Sequence, residues 1–116
     1  MDVFTTHLAF ALEEAAGIPV FPKDDPRIEE TGLCMEIAVL ENGQMDCAVL
    51  SNEGLCVSRN ETRRIADLLR FKTLEVAPGL RVGPFMPIGF MRRIKGEAPY
   101  ADRAEMTVCF DIETTT

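Results

Sequence analysis

The chain has 116 residues, of which 47% are hydrophobic and 27% are charged, and its formal net charge is −7. A chain of this length buries roughly two-thirds of its unfolded surface, which is enough for one hydrophobic core. The composition argues against a disordered chain, no apolar run approaches the roughly 20 residues of a membrane span, and the acidic balance disfavours tight non-specific binding to nucleic acid.

The first predicted element is a helix over roughly residues 3–16. Apolar residues recur along one face at helical spacing, Gly17 is suited to the C-terminal end, and Pro19 prevents continuation. Residues 18–22 are apolar but proline-rich, and are therefore extended at best. We expect a polar, exposed loop over residues 22–32. The apolar stripe of the helix consists of Phe4, Leu8, Ala11, Leu12 and Ala15.

A β-hairpin is predicted next, from strands over residues 33–40 and 45–50. The pair Asn42 and Gly43 between them is a strong hairpin signal. Alternate residues of each strand are apolar, so each strand has one buried face. Residues 55–57 are consistent with a short further strand. The buried faces of the hairpin consist of Met35, Ile37, Val39, Met45, Cys47 and Val49.

A second helix is predicted over roughly residues 59–70, because Ser58 and Glu61 fit a capping box. Ile65, Leu68 and Leu69 are its inward residues. Prolines and glycines interrupt residues 73–95, so short strands are expected, around 80–82 and 88–95, followed by a loop from Gly96 to Asp102.

The last predicted strand covers residues 105–113, where apolar and polar residues alternate.

The order of elements gives an α+β fold, a mainly antiparallel sheet with two helices packed on one face. We expect a single cytoplasmic domain over residues 1–116 with a frayed tail over 114–116, since the N-terminus lacks the basic start of a signal peptide. The predicted core consists of Leu8, Leu12, Ile37, Val39, Val49, Ile65, Leu68, Val108, Phe110 and Ile112.

Chemistry-bearing residues are present but form no recognisable motif. His7 lies off the apolar stripe and has no partner by motif, so a surface histidine is the favoured interpretation. The acids at 24–25 and 29–30 could bind a hard cation, but a solvated loop is favoured. The Gly-Pro-rich stretch 78–89 contains no phosphate-binding pattern. We therefore expect no catalytic residues, no metal and no cofactor.

The cysteine spacings match no zinc or redox motif. Reduced, buried, structural thiols are the favoured state, ahead of a metal site or a disulfide. The four residues are Cys34, Cys47, Cys56 and Cys109.

The charge is unevenly distributed between the two halves. Residues 1–58 hold 11 acids and 2 bases, a balance of −9, whereas residues 59–116 hold 10 bases and 8 acids, a balance of +2. Ordinary solvated faces would explain this, as would an acidic surface of one subunit meeting a basic surface of the next. The densest basic cluster is Arg92, Arg93 and Lys95. It could touch phosphate, dock on an acidic neighbour, or protect a strand edge from unwanted pairing.

The order of predicted elements forms a pattern that covers most of the chain. It consists of the opening helix with its continuation over residues 16–21, the strand pair after it, the helix from Asn60 to Arg70, and the loop Gly96 to Asp102 that leads into residues 106–112. It resembles the small head–tail connector and tail-terminator proteins of long-tailed bacteriophages and prophages, also called minor capsid or tail completion proteins. The resemblance implies an α+β fold without enzymatic activity. It also implies a homo-oligomeric ring, commonly a hexamer, that ends tail growth and joins tail to head.

The partners implied are further copies of the chain and other phage tail or neck proteins, with DNA only as passing cargo and no membrane. The protein would be located in the cytoplasm during assembly and then in the virion.

A ring requires a heterologous contact, for which the apolar stretch 84–87 with Phe90 and the basic cluster are candidates. Two other classes stay open, a small protein-binding or regulatory module and an enzyme with an acidic site between subunits. The predicted subunit interface consists of Phe85, Met86, Phe90, Arg92, Arg93 and Lys95.

Overall fold

The structure is a computed structural model that describes residues 3–41, 43–95 and 102–114, with side chains described over 3–41, 43–88 and 103–114. The α+β prediction is confirmed, because two α-helices and eight strands make up this part of the chain. In chain order the elements are α1 (Val3–Ala16), β1 (Val20–Pro22), a 3₁₀ helix (Pro26–Glu30), β2 (Leu33–Leu40), β3 (Gln44–Ser51), α2 (Leu55–Leu69), β4 (Leu74–Ala77), β5 (Leu80–Val82), β6 (Met86–Lys95), β7 (Asp102–Cys109) and β8 (Ile112–Thr114).

Five strands form the main sheet in the order β1-β2-β3-β7-β6. Strand β1 runs parallel to β2, and the other neighbours are antiparallel. The predicted β2–β3 hairpin is confirmed, with Leu40 opposite Gln44 and Leu33 opposite Ser51. A smaller antiparallel sheet, β4-β5-β8, was not predicted as a separate unit. The edge strands of the main sheet are therefore β1 on one side and β6 on the other.

Both helices cover the same face of the main sheet, as predicted. Residues at every second position of β2, β3 and β7 point to this face, and Met35, Cys47 and Val108 are fully buried there. Leu8 and Leu12 of α1 and Ile65 and Leu69 of α2 pack into the same core. No helix among the described residues is both long and apolar enough to cross a bilayer.

The opposite face of the main sheet has a second, smaller core. Phe21 and Ile28 lie over Cys34, Ala48 and Leu50. The prediction of an exposed polar loop over residues 22–32 is wrong here, because the 3₁₀ helix buries Ile28 against the sheet. A single apolar residue among charged ones carries no periodic signal, so the pattern of residues could not reveal this covering.

Helix α2 begins one turn earlier than predicted, and residues 55–57 form its first turn rather than a strand. Ser58, predicted to cap the helix, is fully buried inside it, and its hydroxyl lies 3.4 Å from the carbonyl oxygen of Gly54 as a hydrogen-bond donor. Thr62 donates in the same way to Ser58 at 2.7 Å. Backbone carbonyls one turn back satisfy both hydroxyls, so the helix tolerates them in its interior.

The last predicted strand is two strands that belong to different sheets. Strand β7 ends at Cys109, and β8 pairs with β5 through Ile112 opposite Val82. Phe110 at the break is buried, as predicted, whereas Ile112 is 53% exposed and not part of the core. Val39 and Leu68 of the predicted core are only partly buried. Thr114 is paired with Leu80 rather than frayed.

Two stretches of the predicted fold lie wholly or partly outside the described residues. The predicted loop from Gly96 lies outside them up to residue 101, and Asp102 is already the first residue of β7. The final two residues of the predicted tail also lie outside them.

Candidate functional site: the two edges of the main sheet

Strand β6 forms an edge that is open for most of its length. It is ten residues long and pairs on its inner side with β7. The register shifts between Ile88 and Arg92, where the bulge adds residues to β6. Among the described residues, only the bridge between Arg70 and Phe85 occupies the outer side, and it lies just before the strand begins. Beyond that point the backbone groups of an outer edge are free to meet another chain.

The predicted interface residues all map to this edge, but one of them is buried. Phe85 is fully buried against Phe110, with ring centroids 6.1 Å apart, so the prediction that it is exposed is wrong. Pro87 is buried too. In the part of the strand whose side chains are described, Met86 and Ile88 are the exposed apolar residues, at 39% and 44%.

The four remaining interface residues, Phe90, Arg92, Arg93 and Lys95, lie in the second half of β6, and their side chains lie outside the described part. The register places Arg92 opposite Glu105 and Lys95 opposite Asp102, whereas Arg93 is opposite Ala104. Opposite charges at facing positions attract. Two of the three basic residues therefore have an acid across the strand pair, and Arg93 does not.

Strand β1, the other edge, is closed to strand addition. Backbone groups of successive residues in a strand point alternately to the two sides. Pro19 and Lys23 bond to β2, so Val20 and Pro22 direct their backbone groups outward, away from β2. The amide of Val20 donates to Glu13 Oε1 at 3.1 Å, and Pro22 has no amide proton. The carbonyl of Pro22 accepts from Asp25 at 3.2 Å. Any contact at this edge must therefore be made by side chains.

The segment that follows β1, residues 23–30, carries three exposed acids beside the exposed bases Lys23 and Arg27. Asp24, Glu29 and Glu30 are exposed, whereas the side chain of Asp25 is only 5% exposed. Asp25 accepts three hydrogen bonds from Arg27: from the amide at 2.9 Å, from Nε at 3.0 Å and from Nη2 at 2.8 Å. These hydrogen bonds hold the pKa of Asp25 below its usual value. Asp25 is thus a structural cap of the 3₁₀ helix and not a solvated acid as predicted.

A groove of about 340 Å³ lies between α1 and β1 at this edge. Its walls are mainly apolar and include Phe10, which is 65% exposed, together with Val20 and Pro22. His7 and Glu13 contribute the polar part of the wall. Arg27 closes one end and lies 4.7 Å from the centre of the Phe21 ring, within the range of a cation–π contact. This volume is near the lower end of the roughly 300–1,000 Å³ range of ligand pockets.

The thiols and the other titratable groups form no catalytic arrangement in the described part. No group of three or more His, Cys, Asp or Glu side chains there is placed to hold a metal ion. Burial raises the pKa of Cys34 to about 11, with a smaller effect from Glu36, and burial also raises the pKa of Cys47. Cys56 is exposed, contrary to the prediction of buried thiols, because it lies on the outer side of the first turn of α2.

The fold and these surfaces define an α+β domain whose main sheet has β1 at one edge, with its outward backbone groups largely bonded, and β6 with its basic residues at the other edge, where no described strand pairs with it on the outer side. No protein-family model, no curated protein and no solved structure matches this chain.

Sequence reasoning located the β6 edge but missed the groove and the exposed Phe71 beside β6. The groove arises because residues 18–22 turn back along α1, which depends on tertiary packing. The sequence did contain a signal that Phe71 is exposed. The residue lies between the charged residues Arg70 and Lys72, just after a helix, and a side chain in such a position is rarely buried.

Proposed function

We propose that the protein is a structural subunit that associates head to tail with further copies of itself into a ring, at the neck or tail end of a long-tailed bacteriophage or prophage. One observation carries the proposal: the two edge strands of one sheet differ, since β6 carries the basic residues Arg92, Arg93 and Lys95, whereas the segment just after β1 exposes Asp24, Glu29 and Glu30. The resemblance in element order supports the phage setting. In that setting the ring would complete the tail and join it to the head, and DNA would pass through its centre.

Opposite edges make a heterologous contact, which is the type that builds rings. Five strands spaced about 4.8 Å apart place the two edges roughly 19 Å from one another. When the β6 edge of one copy meets the β1 edge of the next, each added copy leaves one edge of each kind unused. Such a chain ends only when it closes on itself, so a ring is its finite form.

A symmetric dimer through two copies of β6 is disfavoured by charge in one register, that with the two-fold axis near Arg93. Antiparallel pairing in that register would bring Arg92, Arg93 and Lys95 of both copies near one another, and like charges at facing positions destabilise a sheet. At the β1 edge the amide of Val20 and the carbonyl of Pro22 already have partners, and Pro22 has no amide proton, so an added strand would find few backbone groups to bond. A contact between unlike edges would therefore rely mainly on side chains.

Charge at this contact would set orientation and the rate of encounter, while apolar contact would supply most of the affinity. Exposed ion pairs contribute roughly 0–1 kcal/mol each, and complementary charges act mainly on association. Met86 and Ile88 are exposed apolar residues of β6 that could supply such contact.

The proposal is tested first by the state of association. Native mass spectrometry and negative-stain electron microscopy over a concentration series should show a closed ring with one copy number. Raising the salt concentration should slow its formation, because exposed charges are screened. A chain that stays monomeric up to its solubility limit, or that forms only a two-fold dimer, contradicts the ring.

The phage setting needs a separate test. Deleting the coding sequence from the phage or prophage that carries it should leave heads and tails unjoined, or tails of undefined length, in electron micrographs. Normal particles after the deletion contradict this part of the proposal. Restoring the wild-type sequence on a plasmid is the matched control.

A further inference from the structure

Phe71 is an exposed aromatic residue fixed in an unusual backbone conformation at the β6 edge. Its ring is 65% exposed and its φ is +62°, a value that bulky residues rarely adopt. The conformation is held by hydrogen bonds, from the amide of Phe71 to the carbonyl of Phe85 at 2.8 Å and from the amide of Phe85 to the carbonyl of Lys72 at 2.9 Å. Strained, rigidly held residues of this kind occur preferentially at binding sites.

The counterpart lies on the opposite edge. Among the phenylalanines whose side chains are described, only Phe71 and Phe10 are exposed, each to 65%. Phe10 lines the groove between α1 and β1. Among the described side chains, the molecule thus presents one projecting aromatic residue at the β6 edge and a mainly apolar groove with an aromatic wall beside β1.

Resting on the proposed head-to-tail association, we infer that the Phe71 ring of one copy occupies the α1–β1 groove of the next copy and packs against Phe10. Aromatic pairs with ring centres about 4.5–7 Å apart add attraction beyond simple burial. Buried aromatic side chains commonly act as the few residues that supply most of the energy of an interface.

The charges around ring and groove favour a second copy as the occupant. Arg70 and Lys72 flank Phe71 and are exposed, whereas Glu13 lines the groove. Exposed Lys23 and Asp24 follow Pro22 of the groove wall in the chain and offset one another. Arg27 at the end of the groove is already paired with Asp25, so it does not repel the incoming bases as a free cation would. The groove is also too small for a large ligand yet suited to one aromatic side chain with its neighbours.

The first test removes the ring while keeping the backbone. Phe71→Asn suits this purpose because asparagine tolerates positive φ. We expect it to melt like the wild type by circular dichroism and to raise the concentration needed for half-assembly about 30-fold, as loss of a main interface anchor does. Phe71→Tyr should assemble nearly normally. Ile112→Ala, which truncates an exposed apolar residue elsewhere, is the matched control and should have no effect.

The second test locates the contact directly. In a Cys56→Ser background, copies with Phe71→Cys are mixed with copies with His7→Cys, since His7 is exposed on the wall of the groove. Mild oxidation should give a disulfide between unlike copies. A pair with Ile112→Cys in place of His7→Cys should give none.

The outcomes separate this inference from the proposed function. Rings that form normally with Phe71→Asn overturn the inference and leave the ring standing. A disulfide that joins two copies at position 71 instead of 71 to 7 indicates a two-fold contact and contradicts both. Failure of the wild type to form any ring overturns both. Weaker assembly of Phe71→Asn together with the 71-to-7 disulfide supports both.

Discussion

Arg64 of α2 donates a hydrogen bond of 2.6 Å from Nη2 to the carbonyl oxygen of Ala16, the last residue of α1. The same nitrogen also lies 2.7 Å from Glu61 Oε2, one turn back on α2. Carbonyls at the end of a helix lack partners within it, and a positive charge there is favourable. The guanidinium therefore ties together the two helices that cover the sheet, and Glu61 fixes its orientation.

We expect Arg64→Ala to lower the free energy of unfolding by about 1 kcal/mol, because a charged hydrogen bond is lost at a site that water partly screens. Arg63→Ala, at an exposed neighbour, is the matched control and should change it by less than about 0.5 kcal/mol. Urea denaturation followed by circular dichroism measures both. Equal effects of the two substitutions would show that the contact between the helices contributes nothing.

The cap formed by Asp25 gives a pH dependence of stability. Hydrogen bonds from Arg27 lower its pKa in the folded state, so the charged carboxylate stabilises the fold above the ordinary pKa of about 3.9. This contribution is lost as the pH falls through the lowered folded pKa. Asp25→Asn should therefore be less stable than the wild type at neutral pH, and the difference should shrink below about pH 4.

Asp24→Asn is the control for that experiment. Asp24 is exposed and has a positive φ of 67°, which asparagine tolerates. Its effect on the melting temperature should be small at every pH. A constant difference between wild type and Asp25→Asn from neutral pH to strongly acidic pH would contradict the role given to the Asp25 carboxylate.

The four thiols should react at very different rates. Cys56 is exposed and should be alkylated first in the folded protein. Cys34 and Cys47 are buried, and their raised pKa values leave little of the reactive thiolate at neutral pH. Mass spectrometry of the alkylated protein should show Cys56 labelled fast, and Cys34 and Cys47 labelled only after unfolding. The variant Cys56→Ser should lose the fast phase, and a persisting fast phase would place a second accessible thiol in the native fold.

The sequence predicted those elements whose local signals agree with their packing. Helix α1 was located correctly because the apolar stripe, Gly17 and Pro19 all indicate the same boundary. The faces of β2 and β3 followed from strict alternation. Helix α2 was placed too late, because the β-branched and apolar residues at 55–57 resemble a strand, and packing of α2 against β3 and β7 overrides that preference.

The site was only partly predictable, since its features depend on tertiary contacts. Phe85 resembled an exposed apolar residue between prolines, yet its ring fills the core beside Phe110. The closed edge at β1 depends on Glu13, which lies seven residues from Val20 and reaches its amide only after α1 folds back along the strand. No short-range pattern encodes such a contact. The uneven charge was visible in the sequence, but the acids of the first half are distributed over α1, β2, β3 and the turns, and only some of them lie near β1.

The basic cluster gives the last prediction, and the register of β6 decides how to test it. Reversing both Arg92 and Arg93 to glutamate would put a second acid directly opposite Glu105, and like charges at facing positions weaken the strand pair itself. Loss of assembly in that double variant would not distinguish a broken interface from a weakened edge strand. Arg93 is paired with Ala104, so Arg93→Glu reverses the charge at this position without placing two acids opposite each other in the sheet.

We therefore expect Arg93→Glu to keep the wild-type melting temperature while slowing ring assembly at low salt, because the segment after β1 on the incoming copy exposes acids. The difference in assembly rate between Arg93→Glu and the wild type should become smaller as the salt concentration rises, because salt screens the exposed charges of both proteins. Arg81→Glu, which reverses an exposed charge in the smaller sheet, is the control and should assemble at close to the wild-type rate. Light scattering over a salt series measures the rates, and an Arg93→Glu rate equal to that of the wild type at low salt would rule out charge pairing between the two edges.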